Sequence, residues 1–333
     1  MQREESPPSA IFMEEIMNKK IFTLVLLTIC MFSFLFAEQN SSAAAYMRLG
    51  TGAKAMAMGG TGVASIDNIT ATYWNPAGLA NLKTFEFGSM IADGLGWDRS
   101  YNYSAIGFRL PNGYAALSWN NANVSDIKGY DENDNFTGNF DNSEHNIGLS
   151  YALGSPKFKL GATVKAFISS IDGDFETGYG TDLGIIYDAN QYFSIGVMCR
   201  DLYSEYVNEE VPSQYSFGIT MHPIYGLTLN SDFKAEKDDE NIEVGVGAEY
   251  WIGLGEDVEV SSTLGEISAE EKTSWDDLLS NAEGGLRVGI DDGSFTAGFG
   301  LRYKVIEASY AYGAAKDDKL TEDSHRFSLI FRF

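Results

Sequence analysis

The chain ends in His325-Arg-Phe-Ser-Leu-Ile-Phe-Arg-Phe333, and this stretch indicates the fold more strongly than any other. Four apolar residues share one face of an extended strand: Phe327, Leu329, Phe331 and Phe333. The alternate positions form a mostly polar face of Arg326, Ser328, Ile330 and Arg332. A transmembrane barrel needs a final strand whose apolar face meets lipid while the other face meets the lumen. We therefore expect a membrane barrel that this strand closes.

The same ending resembles the assembly signal of outer-membrane barrels, carried here by Phe327, Leu329, Phe331 and Phe333. That resemblance implies location in the bacterial cell outer membrane. The implied partners are outer-membrane lipid and the barrel-assembly machinery.

The other end of the chain has the pattern of a secretory signal peptide. Lys19 and Lys20 precede an apolar run from Ile21 to Phe36, and Ala37 is a suitable cleavage residue. We expect translation to start at Met17, so residues 1–37 comprise an upstream extension and a signal peptide. A transmembrane anchor is the alternative, although the run is slightly short for a full span.

Cysteine usage agrees with export of the chain. Cys30 lies inside the apolar run, and the bulky Ile29 before it argues against a lipoprotein signal. Cleavage after Ala37 leaves Cys199 alone, so the mature protein has no internal disulfide.

The composition excludes one class of partner and favours long strands. The chain has 47 acidic and 23 basic residues, a net charge of −24, and phosphate contacts need a basic face. We therefore exclude nucleic acid as a partner. The 35 glycines, 13% aromatic residues and only 7 prolines suit extended strands better than a helical bundle.

From Phe85 onward the chain contains fourteen stretches of period-two alternation. They lie near 85–92, 101–110, 114–123, 145–154, 158–168, 179–188, 192–201, 212–222, 225–235, 241–252, 284–290, 294–303, 305–313 and 324–333. A soluble sandwich also alternates, so a secreted soluble β-protein is one alternative. Strand lengths of about ten residues, the even count and the two chain ends favour an all-β, 14-stranded antiparallel transmembrane β-barrel.

Connections between these strands alternate in length. Tight turns contrast with longer polar loops near 124–144, 169–178, 202–211 and 314–323. With the C-terminus in the periplasm, short turns are periplasmic and most long loops are outside. The long insertion 253–283 breaks this rule, unless Asp257–Thr263 adds a strand.

A barrel of fourteen strands has a lumen too wide for its own side chains to fill, so we expect a plug. The candidate is an N-terminal hatch, residues 38–84, that precedes the barrel proper (85–333). Its small residues permit close backbone packing, and Asn75-Pro76 has the pattern of an N-cap and first residue of a short helix. The hatch residues that we single out are Gly52, Ala53, Gly59, Gly60, Trp74, Asn75, Pro76, Gly78 and Leu79.

The block from Gly52 to Ala80, with Met58-Gly-Gly60 and Tyr73-Trp-Asn-Pro-Ala-Gly-Leu-Ala80, resembles the N-terminal signature of the PorV/PorQ family. Later segments, among them Gly247–Trp251, Gly298–Tyr303 and Ser324–Leu329, resemble the same family. The family lies within the FadL-like transporters of hydrophobic compounds, including long-chain fatty acids. The resemblance implies a fourteen-stranded barrel with an N-terminal hatch. Members divide between uptake of hydrophobic molecules and type IX secretion.

The sequence offers no catalytic or metal-binding motif. His145, His222 and His325 lack metal-ligand spacing, and no Gly-x-Ser-x-Gly elbow is present. We expect no enzyme activity, catalytic residue, metal or other cofactor. The stronger candidates for functional residues are charged side chains on inward strand positions. We expect them to pair across the lumen and hold the hatch, or to line a polar path beside it. They are Lys165, Asp182, Arg200, Glu243, Glu249, Arg287, Arg302 and Glu307.

The sequence therefore predicts a monomeric outer-membrane barrel that passes small hydrophobic molecules. The alternative is a PorV/PorQ-type component of type IX secretion, or of surface attachment, whose partners are secretion machinery or secreted cargo. Displacement of the hatch, anchored by Asn75-Pro76, is the gate that we expect in the transport role.

Overall fold

The computed structural model describes residues 45–95, 99–207, 209–254, 281–315 and 323–333. The predicted signal segment, residues 38–44 of the predicted hatch, and most of the predicted 253–283 insertion with its suggested extra strand lie outside these ranges.

Fourteen long strands and one short strand make up most of the described chain. They are β1 Phe85–Asp93, β2 Ser100–Leu110, β3 Gly113–Tyr130, β4 Phe136–Gly154, β5 Phe158–Ile171, β6 Asp174–Asn190, β7 Phe193–Tyr206, β8 Glu209–Glu210, β9 Gln214–Met221, β10 Leu227–Glu236, β11 Ile242–Gly253, β12 Ala282–Asp291, β13 Ser294–Tyr303, β14 Ile306–Gly313 and β15 Ser324–Arg332. The two-residue strand β8 pairs only with β7.

The long strands form a closed antiparallel barrel in which each strand pairs with its neighbours along the chain. β7 pairs with both β6 and β9. Closure comes from the first and last strands, with Phe87 opposite Phe331 and Gly88 opposite Ile330. At the end of this seam, the Phe333 N–H donates to the Phe85 carbonyl at 2.9 Å. The predicted fourteen-stranded barrel, closed by the C-terminal strand, is confirmed.

The prediction of long polar loops at 124–144 and 169–178 was wrong. The first region is mostly the β3–β4 hairpin, whose turn occupies only 131–135, and the second contains a turn at 172–173. Likewise β7 extends to Tyr206, within the predicted loop 202–211. In these extensions both faces meet water, so the apolar alternation that marks a wall strand is missing although the backbone is still paired.

The barrel has two distinct ends. We call the end with Phe85 and Phe333 the terminal end, and the end with the turns 131–135 and 172–173 the hairpin end. The connection between Gly253 and Ala282 leaves from the terminal end, the side that the sequence predicts for it.

The outer face of the wall is apolar and exposed. Along β12, Leu286, Val288 and Ile290 are exposed, whereas the alternate residues Arg287 and Gly289 are buried. Exposed apolar side chains of the same kind recur on other strands: Leu117, Ile147, Leu149, Val164, Leu183, Val246, Phe299, Leu301, Phe327 and Leu329. A continuous apolar outer belt is typical of a barrel that faces lipid.

Residues 45–84, the described part of the predicted N-terminal hatch, fold inside the barrel. They form a 3₁₀ helix Ala45–Arg48, α-helices Ala53–Ala57 and Ala71–Trp74, and a second 3₁₀ helix Pro76–Asn81. Each helix is short, and most hatch side chains are buried. None of the described helices has the length and apolar character needed to cross a membrane.

Candidate functional site

The hatch contacts the wall through glycines on the inward face of the strands. A Cβ added at each would come closer than 3.0 Å to a hatch atom, which real Cβ atoms essentially never do. These glycines are Gly88, Gly107, Gly154, Gly161, Gly184, Gly196, Gly218, Gly245, Gly247, Gly289 and Gly298. Glycine in a strand often marks such a close backbone approach. The wall is therefore shaped to admit the hatch.

Gly59 lies where the hatch comes nearest to β11 and β12. It adopts a left-handed φ of 71°, which favours glycine, and a Cβ here would strike the carbonyls of Val246 and Ile290. Its N–H donates to the Thr296 hydroxyl on β13 at 3.0 Å. Gly59 therefore has both a conformational and a steric requirement for glycine.

Asn75 joins the hatch to two wall strands. Its side-chain amide donates to the Val63 carbonyl at 2.7 Å and to the Ile185 and Val197 carbonyls at 3.2 and 3.3 Å. Its Oδ1 accepts the Ala77 N–H, and Pro76 follows as the first residue of the 3₁₀ helix. The predicted cap is confirmed, and the same fully buried side chain also ties β6 to β7.

The other predicted hatch residues are also buried inside the barrel: Gly52, Ala53, Gly60, Trp74, Pro76, Gly78 and Leu79. The Trp74 indole N–H donates to the Thr51 carbonyl at 2.6 Å, which holds two parts of the hatch together. The Ala53 N–H donates to the Ser328 hydroxyl at 2.8 Å, so the hatch also contacts the closing strand.

Asp232, which sequence reasoning missed, holds the middle of the hatch. Its carboxylate on β10 accepts the N–H groups of Gly62 and Val63 at 2.7 and 3.0 Å, and it is almost completely buried. Asn230, on the same strand, donates to the Ser65 hydroxyl at 2.7 Å. The stretch Gly60–Ser65 is therefore fixed to β10 by two side chains.

Six of the predicted lumen charges pair sideways with neighbouring strands or with the hatch, rather than across the lumen. Arg287 contacts Glu249 at 2.7 Å and Glu307 at 3.2 Å, and Arg302 contacts Glu307 at 3.1 Å. The other two, Lys165 and Asp182, lie 2.6 Å apart. The hatch fills the space that pairing across the lumen would need, so each charge pairs with what lies beside it.

Two hatch charges, Lys54 and Asp67, join this network, and sequence reasoning missed both. Lys54 lies 3.4 Å from Glu249 and 3.1 Å from Asp67, while Arg332 of the closing strand lies 3.1 Å from Glu307. The hatch is thus attached to the wall by ion pairs at its terminal-end side.

A second ion cluster lies toward the hairpin end. Lys165 also pairs with Asp201, and Asp201 contacts Arg48 of the first 3₁₀ helix at 2.6 Å. Arg48 in turn contacts Glu236 at 3.0 Å. Only long-range folding brings Arg48 and Asp201 together, so no local sequence signal could have found this pair.

Arg200 and Glu243 differ from the other predicted lumen charges. Arg200 donates to the Gln214 side chain at 3.0 Å and the Tyr73 carbonyl at 2.8 Å, and it forms no ion pair with the described residues. Glu243 is exposed and forms neither an ion pair nor a side-chain hydrogen bond within the described ranges. Both residues line the same cavity.

Two spaces lie on opposite sides of the stretch Gly60–Ser65. A cavity of about 130 Å³ toward the hairpin end is lined in part by Gly60 and Val63. A vestibule of about 770 Å³ toward the terminal end is lined in part by Ala64 and Ser65. This short stretch of hatch backbone therefore separates the two spaces.

The residues of the predicted assembly signal lie on the outer face of the closing strand. Phe327, Leu329 and Phe333 are exposed, and Phe331 is partly buried beside Phe87. The Phe333 ring lies 5.6 Å from that of Phe85. Within the ranges that the structure describes, no group of three His, Cys, Asp or Glu side chains could hold a metal ion.

Comparison with solved structures finds the same fold in other proteins. The toluene transporter TbuX of Ralstonia pickettii aligns over 85% of this chain and 98% of its own, with 14% identity and a TM-score of 0.58. The monoaromatic hydrocarbon channel CymD aligns over 86% and 98%, with 13% identity and a TM-score of 0.56. The Pseudomonas putida toluene transporter TodX aligns over 84% and 96%, with 12% identity and a TM-score of 0.54.

At these identities the likeness establishes a shared fold. No protein-family model matches the sequence, and no curated protein matches it either. The chain shares its barrel fold with proteins described as transporters and channels, and the alignments cover nearly the full length of those proteins.

Proposed function

We propose that this protein is a FadL-like channel of the bacterial outer membrane that passes small molecules with an apolar body toward the periplasm. One observation carries the proposal: the stretch Gly60–Ser65 separates a cavity at the hairpin end from a vestibule at the terminal end. A barrel that only anchored another protein would not need a space on each side of its plug.

Two further observations support the proposal. The apolar belt on the outer face suits lipid, with the terminal end in the periplasm and the hairpins outside. The proteins with the same fold include transporters of toluene and a channel for monoaromatic hydrocarbons.

The gate in this proposal is movement of the hatch. Asp232 and Asn230 hold the stretch Gly60–Ser65 by hydrogen bonds alone, and Asn75 ties Val63 to β6 and β7. The ion pairs of Lys54 hold the hatch at its terminal-end side. Shifting Gly60–Ser65 away from β10 would join the two spaces while the rest of the hatch stays attached.

The test is outer-membrane permeability in cells that carry the protein. Asn75→Ala and Gly59→Val should each weaken hatch docking, because one removes four hydrogen bonds and the other forces side-chain atoms onto two carbonyls. We expect increased sensitivity to a hydrophobic antibiotic and faster uptake of a hydrophobic dye.

A matched control is Asn139→Ala, which removes an exposed amide that contacts Asp126 on the β3–β4 hairpin. It should leave permeability unchanged. If Asn75→Ala and Gly59→Val barrels insert normally and permeability also stays unchanged, the hatch is not a gate.

A second candidate is a PorV/PorQ-type role in type IX secretion or surface attachment. It is favoured by the hairpins at the far end, where Tyr130 and Phe136 are more than half exposed and their rings pack at 6.0 Å. Exposed aromatic side chains of this kind suit contact with another protein. Replacing both rings with serine should then release surface-attached proteins into the medium without changing dye uptake.

A further inference from the structure

The cavity at the hairpin end has a lining too polar for a hydrocarbon. Its volume of about 130 Å³ is close to the roughly 150 Å³ of a protein cavity that holds benzene. Tyr73 and Trp74 line it, so an aromatic ring has apolar partners there. Six charged side chains also line it: Arg48, Arg200, Lys234, Glu236, Glu243 and Asp291.

Of two cations inside this cavity, one has no carboxylate partner among the described residues and the other has only a distant one. Arg200 is only 7% exposed, and its hydrogen bonds go to the neutral oxygens of Gln214 and Tyr73. The Lys234 ammonium has its nearest ion-pair partner among the described residues, Asp291, at 3.8 Å. A buried cation without a close counter-ion favours an anionic ligand group, because water no longer compensates its charge.

The mouth of the cavity carries an excess of negative charge. The exposed carboxylate of Glu243 has no partner within the described part of the chain, whereas Glu236 is already paired with Arg48. The turns around this end carry many more acidic than basic side chains: Asp131, Glu132, Asp134, Asp172, Asp174, Asp238, Asp239 and Glu240, against Lys128 and Lys237. This excess favours the approach of positive charge and opposes that of a plain anion.

We propose that this cavity binds a small aromatic zwitterion, whose carboxylate contacts Arg200 and Lys234 and whose ammonium contacts Glu243. The proposal rests on the proposed transport function and specifies its substrate class. A plain cation would leave Arg200 without a counter-ion and Lys234 with only the distant carboxylate of Asp291. A hydrocarbon would leave both cations and Glu243 without a ligand contact.

The test compares four ligands that share a phenyl ring and differ in charge. Phenylalanine is the zwitterion, 3-phenylpropionate the anion, phenethylamine the cation and propylbenzene the neutral molecule. Binding of each radiolabelled ligand is measured on the purified full-length barrel, with protein-free micelles subtracted. We expect phenylalanine to bind at least about tenfold more tightly than the other three, because only it gains both charge-assisted contacts.

Two variants separate the contacts. Arg200→Gln should weaken the binding of phenylalanine and 3-phenylpropionate by about tenfold or more, while the binding of phenethylamine stays unchanged. Glu243→Gln should weaken the binding of phenylalanine and phenethylamine. The factor should be smaller, because the Glu243 carboxylate is exposed. The matched controls are Arg109→Gln and Glu176→Gln, which lie on exposed strand positions away from the cavity and should change nothing.

The outcomes distinguish this inference from the proposed function. If propylbenzene binds as tightly as phenylalanine, or if Arg200→Gln leaves phenylalanine binding unchanged, the zwitterion proposal is overturned and the channel proposal stands. If none of the four ligands binds while Asn75→Ala still raises permeability, only the zwitterion proposal fails. If no ligand binds and hatch variants leave permeability unchanged, both proposals fail.

Discussion

The inner and outer faces of one strand differ in which side chains they tolerate. On β12, Val288 points outward, is 51% exposed and has lipid as its expected neighbour, whereas Gly289 points inward against Gly59 of the hatch. The outer face needs only apolar side chains of no particular shape, because lipid adapts to them. The inner face needs a specific shape and charge, because its neighbour is another part of the same chain. Substitutions should therefore be tolerated outside and costly inside.

The largest contrast is expected between buried and exposed ion pairs. Arg287→Met leaves the buried carboxylates of Glu249 and Glu307 without their shared cation, and should destabilise the barrel by about 3–5 kcal/mol. Lys237→Met removes the exposed pair with Glu210 at 2.6 Å and should cost less than about 1 kcal/mol. Urea unfolding in lipid vesicles measures both, and equal losses would contradict the contrast.

The next contrast adds one carbon atom to each face of β12. Gly289→Ala places a methyl group against the Gly59 and Met58 backbone and should cost about 1–3 kcal/mol through overpacking. Val288→Ile adds a methyl group toward lipid and should stay within about 0.5 kcal/mol. Folded barrels migrate faster on a gel than unfolded ones, so the temperature at which this fast mobility is lost reports the stability of both variants. A Gly289→Ala barrel as stable as the unchanged protein would show that the hatch adapts.

A smaller contrast compares two tryptophans. Trp74→Phe removes the indole N–H that the buried Thr51 carbonyl accepts, and should cost about 1 kcal/mol. Trp119→Phe on the exposed outer face removes a 3.2 Å hydrogen bond to His145 and should cost less. Heat-dependent gel mobility again separates them. A larger loss for Trp119→Phe would indicate that the outer aromatic residues matter more than we infer.

The smallest effect concerns pH at the tip of the β3–β4 hairpin. The Asn135 side-chain amide, with the backbone N–H groups of Asn135 and Asn133, lowers the pKa of Asp131 below its usual 3.8. The ionised carboxylate therefore stabilises the turn above pH about 4, and that contribution is lost as the pH falls through the lowered pKa. NMR titration of the Asn133 and Asn135 amides should show it, while the barrel midpoint stays constant. A midpoint that follows Asp131 would contradict this local role.

The difference between the two faces explains how much could be predicted from the sequence. Outward residues such as Leu286, Val288 and Ile290 form a visible period of two, so the fourteen strands and the closing role of the last strand could be predicted. The extensions of β3 and β4 were missed because both faces of those hairpins meet water, which removes the alternation.

The hatch contacts could be predicted only in part. Asn75-Pro76 has a local capping pattern, and the capping bond is present. Asp232 lies 170 residues from Gly62, and nothing in its own strand distinguishes it from an ordinary inward charge. The inward glycines were visible as small residues, but their precise match to Gly59, Val63 and Pro76 depends on how the hatch folds inside the barrel.

The most direct test is to lock the hatch to the wall. In a Cys199→Ser background, Ser65→Cys with Asn230→Cys places two thiols where the Asn230 amide now donates to the Ser65 hydroxyl at 2.7 Å. The measurement is uptake of the hydrophobic dye by cells that carry this variant, before and after oxidation and again after reduction. A hatch that gates passage predicts that oxidation lowers uptake to the level of cells without the protein, and that reduction restores it. Equal uptake by the oxidised and reduced protein, with the disulfide shown to have formed, would contradict gating by the hatch.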